Sequence, residues 1–178
     1  MVPFSSIINF PNPINTIGVV ALAKMCVGII EAWIGGLIAL PLSLIFMGNS
    51  LDLTLTLQGG VLLLVVILLA SISSATLGLL VGTIIKPSQV AAIFPGFLIP
   101  LVFLGSVFFS WNTLHVTPII QVLVLLNPLV YVNEALRAIL TPQLPHMSLF
   151  ISIIDILISI LIMGYWGRKR FIKMAVGN

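Results

Sequence analysis

The side chains able to move a proton or hold a charge are few: Glu31, Asp52, Glu134 and Asp155, seven Lys or Arg, His115, His146 and Cys26. Glu134 and Arg137 stand three residues apart, the separation at which side chains meet on one helical face. An exposed ion pair of that kind contributes under about 1 kcal/mol. Within an apolar segment it matters more, because either charge alone is stranded. That arrangement suits structural pinning better than contact with a substrate. Glu31 and Asp155 fall within long apolar stretches; Asp155 is deep enough that its charged form costs at least roughly 2.5–3.5 kcal/mol on insertion scales, while Glu31, seven residues past Lys24, lies nearer the cytoplasmic surface. Each must face protein or a wet cavity, or carry a proton. Both are candidates for a functional role, but a buried polar contact between helices fits them better. The histidines have no acidic or cysteine companions at ligand spacing, and Cys26 reads as a small apolar residue. Ser71, Ser73 and Ser74 lack a His or Lys to activate them, and a mid-helix hydroxyl ordinarily bonds the carbonyl four residues back. No bond-making site is expected, no metal and no bound cofactor.

The elements that must position these residues are membrane helices. Of 178 residues, 60% are hydrophobic and 6% charged, with a mean hydropathy of +1.30; soluble domains carry about a quarter charged residues. No stretch is polar for long enough to form a separate soluble domain, and no phosphate-binding glycine loop of the GxxxxGK[ST] or GxGxxG type occurs. The seven basic residues are scattered, which argues against nucleic acid as a partner. The expected fold is an all-α integral membrane protein, a single transmembrane domain over 1–178. About four spans are expected, near 25–47, 60–85, 88–111 and 147–167, with a re-entrant helical hairpin over about 112–145. Residues 1–16 hold Pro3, Pro11 and Pro13 and no basic start, and read as a lead-in rather than a signal peptide.

Orientation follows from the bias of Lys and Arg towards cytoplasmic loops. With the C-terminal RKRFIK inside, Lys24, Lys86, Arg168, Lys169, Arg170 and Lys173 all fall inside. Arg137 alone falls outside. The expected location is the inner or plasma membrane with a cytoplasmic C-terminus, Trp111 at the outer interface and Tyr165 and Trp166 at the inner one. Small residues recur every four positions at Gly28, Ala32 and Gly36, and again at Ala70, Ser74, Gly78 and Gly82. In lipid such faces let helix backbones approach closely.

Residues 111–145 read WNTLHVTPIIQVLVLLNPLVYVNEALRAILTPQLP, with prolines at 118, 128, 142 and 145. The intervals between these breaks are about 9–13 residues, where a crossing needs about 20. Proline at a first helical position favours initiation, and Asn127 is placed to cap a helix starting at Pro128. Two short helices entering and leaving one membrane face are expected, and backbone at that depth must pack on protein or line a cavity. Asn127, Pro128, Glu134 and Arg137 are therefore the candidates for an outer gate.

The succession PGFLIPLVFLGSVFFSWNTL, Pro118, LLNPLVYVNEALRAIL and a last span with a basic tail resembles the ABC-2 type transporter permeases. The helix motif NP-L-x-Y-x-x-E-x-x-R of that family corresponds to Asn127, Pro128, Leu129, Tyr131, Glu134 and Arg137. Pro13-Ile14 followed by VVALAKMCVG is similar to the family's lead from a cytoplasmic coupling helix into its third span. The resemblance covers about residues 13–173. It implies an exporter subunit that pairs with a second permease copy and is driven by a separate cytoplasmic ATPase, with ATP bound by that partner. Family members have six spans, so the chain is expected to match the C-terminal two-thirds of a permease, as a truncated gene, a misplaced start or a split subunit. A regulatory or non-transporting membrane protein, and a small secondary transporter using Asp155 and Glu31, are the alternatives.

Overall fold

The computed structural model describes residues 13–47 and 57–176, and every regular element among them is helical. The lead-in before Pro13 and most of the polar loop carrying Asp52 lie outside the described residues. Three helices are long and apolar enough to cross a membrane. They are α1 (Pro13–Met47), α2 (Leu57–Gly82) and α6 (Leu149–Val176). Helix α1 begins well before residue 25, so Lys24 sits within it rather than ahead of it. Likewise α6 runs on through the basic tail to Val176, which puts all four tail cations on helix.

Close approaches between these helices fix their directions. Gly28 of α1 lies near Ala75 of α2, and Gly36 near Ile67, so α1 and α2 run antiparallel. Gly164 of α6 lies near Thr76, and Gly167 near Leu79 and Leu80, so α2 and α6 run parallel. Lys24, Lys86, Arg168, Lys169, Arg170 and Lys173 consequently gather at one end of the bundle. The sequence asymmetry in charge becomes an asymmetry in space.

The segment expected to cross at 88–111 does so only in part. A 3-10 turn at Pro87–Gln89 leads into α3 (Val90–Phe103), just 14 residues long and interrupted by Pro95 and Pro100. At 1.5 Å per residue that helix rises about 21 Å, short of a hydrocarbon core of about 30 Å. Each proline removes one ladder bond, and the chain leaves the helix at Leu104. Residues 104–110 form an irregular turn, followed by a 3-10 turn at Trp111–Val116.

Two short helices come next, α4 (Pro118–Val124) and α5 (Pro128–Leu140). They meet at 96° across a three-residue break, and both begin at proline. Their lengths, about 10 and 20 Å, and the sharp bend are those of a re-entrant pair. Helix α5 is amphipathic and seats its apolar face on α2 and α6. The shared core is Val66 of α2, Val132 and Ala135 of α5 and Ile156 of α6, with Leu69, Ile139 and Ile153 packed around it. Helix α3, by contrast, leaves Ile93, Phe97, Ile99 and Val102 exposed and touches the bundle mainly at its C-terminal end.

Candidate functional site

That C-terminal end of α3 is where the structure concentrates its polar groups. Glu134, midway along α5, is 0% exposed. Its Oε1 accepts from the Trp111 backbone N–H at 2.8 Å and from Arg137 Nη1 at 2.6 Å. Its Oε2 accepts from the Met147 backbone N–H at 2.7 Å. Ser110 Oγ lies 3.4 Å from Oε2. Ser106 Oγ lies 3.1 Å from Oε1 and 2.7 Å from the Phe109 carbonyl, so one hydroxyl proton is shared between them. An ionised carboxylate offers about four acceptor sites, and every group directed at this one is a donor. A single side chain thereby joins α5 to the 104–110 turn, to the start of the 3-10 turn at Trp111, and to the strand of chain entering α6.

A second set of bonds runs outward from α5 to α3. The last carbonyls of a helix have no partner within it, and here α5 and its cap residue supply partners for one such carbonyl of α3 and for two in the turn that follows. Asn127 Nδ2 donates to the Leu101 carbonyl at 2.6 Å and Asn133 Nδ2 to the Gly105 carbonyl at 2.7 Å. Arg137 Nη2 donates to the Ser106 carbonyl at 2.9 Å. Arg137 therefore uses its planar fork to bridge the buried carboxylate and the turn, which a lysine could not do in the same geometry. Asn127 also caps α5, its Oδ1 accepting the Leu129 N–H at 3.0 Å, with Pro128 as the first helical residue.

The turn closes only with particular backbone. A Cβ on Gly105 would meet the Leu101 carbonyl and Leu129 Cβ at 3.0 Å, so glycine permits α3 to end against the first turn of α5. Ser106 has φ of 63°, a left-handed conformation that costs a non-glycine residue about 1–2 kcal/mol. The strain is held by the bonds from both its side chain and its carbonyl. On the far side, Trp111 Nε1 donates to the Gln121 carbonyl at 3.1 Å and Gln121 Nε2 to the Trp111 carbonyl at 3.3 Å. Asn112 Nδ2 reaches the His146 carbonyl at 2.7 Å. Tyr131 Oη reaches the Leu125 carbonyl at the α4–α5 bend.

Glu134 and Arg137 thus meet directly, while Asn127 and Pro128 stand about two turns away at the start of the same helix, where Asn127 bonds α3. Ser106, Ser110, Asn133 and Met147 complete the cluster without having been singled out. Only the Gly105-Ser106 pair and the Ser110-x-Asn112 cap carried a local turn signal; Asn133 and Met147 gave none, since one bonds a distant carbonyl and the other uses only its backbone. Elsewhere Glu31 is exposed on α1 and Asp155 half-buried on α6, within electrostatic range of Tyr131. Among the described residues no hydrogen bond or ion pair joins the two. Ser71 donates to the Ile67 carbonyl at 2.8 Å, a local helix bond.

The small-residue faces divide. Gly28 and Gly36 of α1 meet α2, with Ala32 between them, and a Cβ on Gly36 would come within 2.8 Å of Ile67 Cγ2. On the second face Ala70 packs against the core, while a Cβ on Gly78 or Gly82 would meet nothing within 4 Å among the described residues and Ser74 is exposed. Helix α2 instead meets α6 through Thr76, Leu79 and Leu80, because the glycines that allow close approach are Gly164 and Gly167 on the partner helix.

Apolar helices long enough to cross a membrane, a bent helix pair and a buried charged clamp define a multi-pass helical membrane protein. The family model for the ABC-2 type transporter matches residues 9–141, a stretch that takes in α1 to α5 and all of Asn127, Glu134 and Arg137. The chain belongs to that family, and is a permease-type membrane component. No curated protein and no solved structure matches it.

Proposed function

We propose that the chain is the membrane-spanning subunit of an ATP-driven exporter, working as a pair with a second permease copy and powered by a separate cytoplasmic ATPase. The cluster centred on Glu134 is its outer gate. The observation that carries this reading is the fully buried carboxylate that ties together α3, the α4–α5 hairpin and the start of α6. A buried charge is costly unless paired and bonded, so an arrangement of this kind favours a small number of discrete packings over gradual deformation. The basic end, with Lys24, Lys86 and the α6 tail, is the cytoplasmic end by the positive-inside bias. A partner ATPase would act there. Helices α3 and α6 start or finish at that end and both terminate at the cluster opposite, so a rearrangement imposed by the ATPase would arrive at the hairpin through them. Neither ATP nor any other cofactor is assigned to this chain.

Co-expression with the ABC ATPase subunits of the same genome tests the reading. A stable complex containing two copies of the chain, whose ATP hydrolysis in liposomes differs from that of the ATPase alone, is the expected result. A chain that purifies as a lone monomer and changes no ATPase activity refutes it.

A further inference from the structure

The last three turns of α6 carry a cationic face within the basic end of the bundle. Trp166, Lys169, Arg170 and Lys173 line a cleft of about 330 Å³. Arg170 and Lys173 also line an adjoining cleft of about 340 Å³ with Thr83, just past the end of α2, and Met174. The first four residues recur at i, i+3, i+4 and i+7, one face of a helix. Arg168 lies outside both clefts, roughly 200° round the axis from Trp166. Among the described residues, none of these cations has a carboxylate partner; the ion pair present is Arg137–Glu134, at the opposite end.

Depth identifies the occupant. Counting from Leu149 at 1.5 Å per residue, Trp166 stands about 25 Å and Lys173 about 36 Å along the helix. A hydrocarbon core is about 30 Å thick and its polar headgroup layers bring the total to about 40–45 Å. The indole is then at the apolar boundary and the three cations among the headgroups. An aromatic ring below and a cluster of unpaired cations above match an anionic phospholipid, its phosphate among the cations and its glycerol and first methylenes beside the ring. We infer that this face of α6 is a binding site for the phosphate headgroup of an anionic phospholipid, which holds the α6 end against its leaflet. The inference holds whichever leaflet that is, and is independent of transport.

Native mass spectrometry of the full purified chain, from micelles supplemented with phosphatidylglycerol or phosphatidylcholine, tests it. Phosphatidylglycerol should be retained and phosphatidylcholine lost. A surface cation is worth about 1 kcal/mol to anionic lipid, or roughly five-fold in affinity. The double variant Lys169→Gln with Arg170→Gln should therefore bind roughly 25-fold more weakly, Lys173→Gln roughly five-fold, and Arg168→Gln within about two-fold of the parent. All four positions are exposed, and circular dichroism of each variant reports that the helices persist. Equal retention of the two lipids overturns the site. So does an equal loss from Arg168→Gln and Arg170→Gln, which is the signature of diffuse charge. Displacement of the lipid by millimolar inorganic phosphate would show recognition of the free anion and overturn the lipid assignment.

Discussion

Glu134 and Arg137 do not contribute equally, although they form one ion pair. Arg137 holds one carboxylate oxygen and one carbonyl, and its side chain is 16% exposed against 0% for the acid. Glu134 in addition satisfies the backbone N–H groups of Trp111 and Met147, which belong to segments far apart in sequence. Removing one partner of a buried pair typically costs about 3–5 kcal/mol, and here Glu134→Ala leaves the Arg137 charge without its carboxylate and both N–H groups without an acceptor. We therefore expect Glu134→Ala to lower the unfolding temperature strongly, and Arg137→Ala to lower it less. The double variant should resemble Glu134→Ala alone, because restoring charge balance does nothing for the two N–H groups. A thermal-unfolding cycle in detergent checks this; a double variant whose defect equals the sum of the singles would show the two residues acting independently. Pairing at three-residue spacing was legible from the sequence. The backbone donors were not, since an N–H leaves no trace in residue type.

At the scale of helices, what decides packing is which glycine has a neighbour. Gly167 of α6 is buried, and a Cβ there would lie 3.3 Å from both Leu79 Cδ2 and the Leu80 backbone nitrogen. Backbone cannot swing aside as a side chain can, so Gly167→Leu should separate α2 from α6 and cost about 1–3 kcal/mol, the usual range for overpacking. Gly78→Leu enters open space within the chain and should leave its unfolding temperature within about 2 °C of the parent. Comparable losses for both, read by thermal unfolding of the purified chain, would contradict this helix arrangement. A repeat of small residues every four positions marks a face from which other helices can be approached; it does not say whether one of them arrives. For the same reason the three long apolar helices and the hairpin breaks were legible, being written in local composition and proline. The early end of α3 was harder to see. Pro95 and Pro100 weaken that helix without ending it, and its termination at Leu104 depends on Gly105 fitting against Leu129, a contact across 24 residues.

For the whole molecule the question is which end faces the cytoplasm, and the structure turns it into a test of two positions. Antiparallel α1 and α2, with α6 parallel to α2, bring six of the seven Lys and Arg residues to one end and leave Arg137 at the other. Ser88, exposed in the short connection between α2 and α3, belongs to the basic end. Gln143, exposed in the connection between α5 and α6, belongs to the hairpin end. Cys26 is the single native cysteine, so Cys26→Ser gives a background in which each position can be labelled alone. On intact cells a membrane-impermeant maleimide should modify Gln143→Cys and spare Ser88→Cys, and permeabilised cells should show both modified. The positive-inside bias predicts that sign, while the helix directions predict only that the two positions differ. Modification of Ser88→Cys but not Gln143→Cys would invert the molecule, moving the Glu134 cluster to the cytoplasmic face, where it could not serve as an exit. Modification of both from outside would break the parallel packing of α6 on α2, which places the end of α2 and the start of α6 on opposite sides.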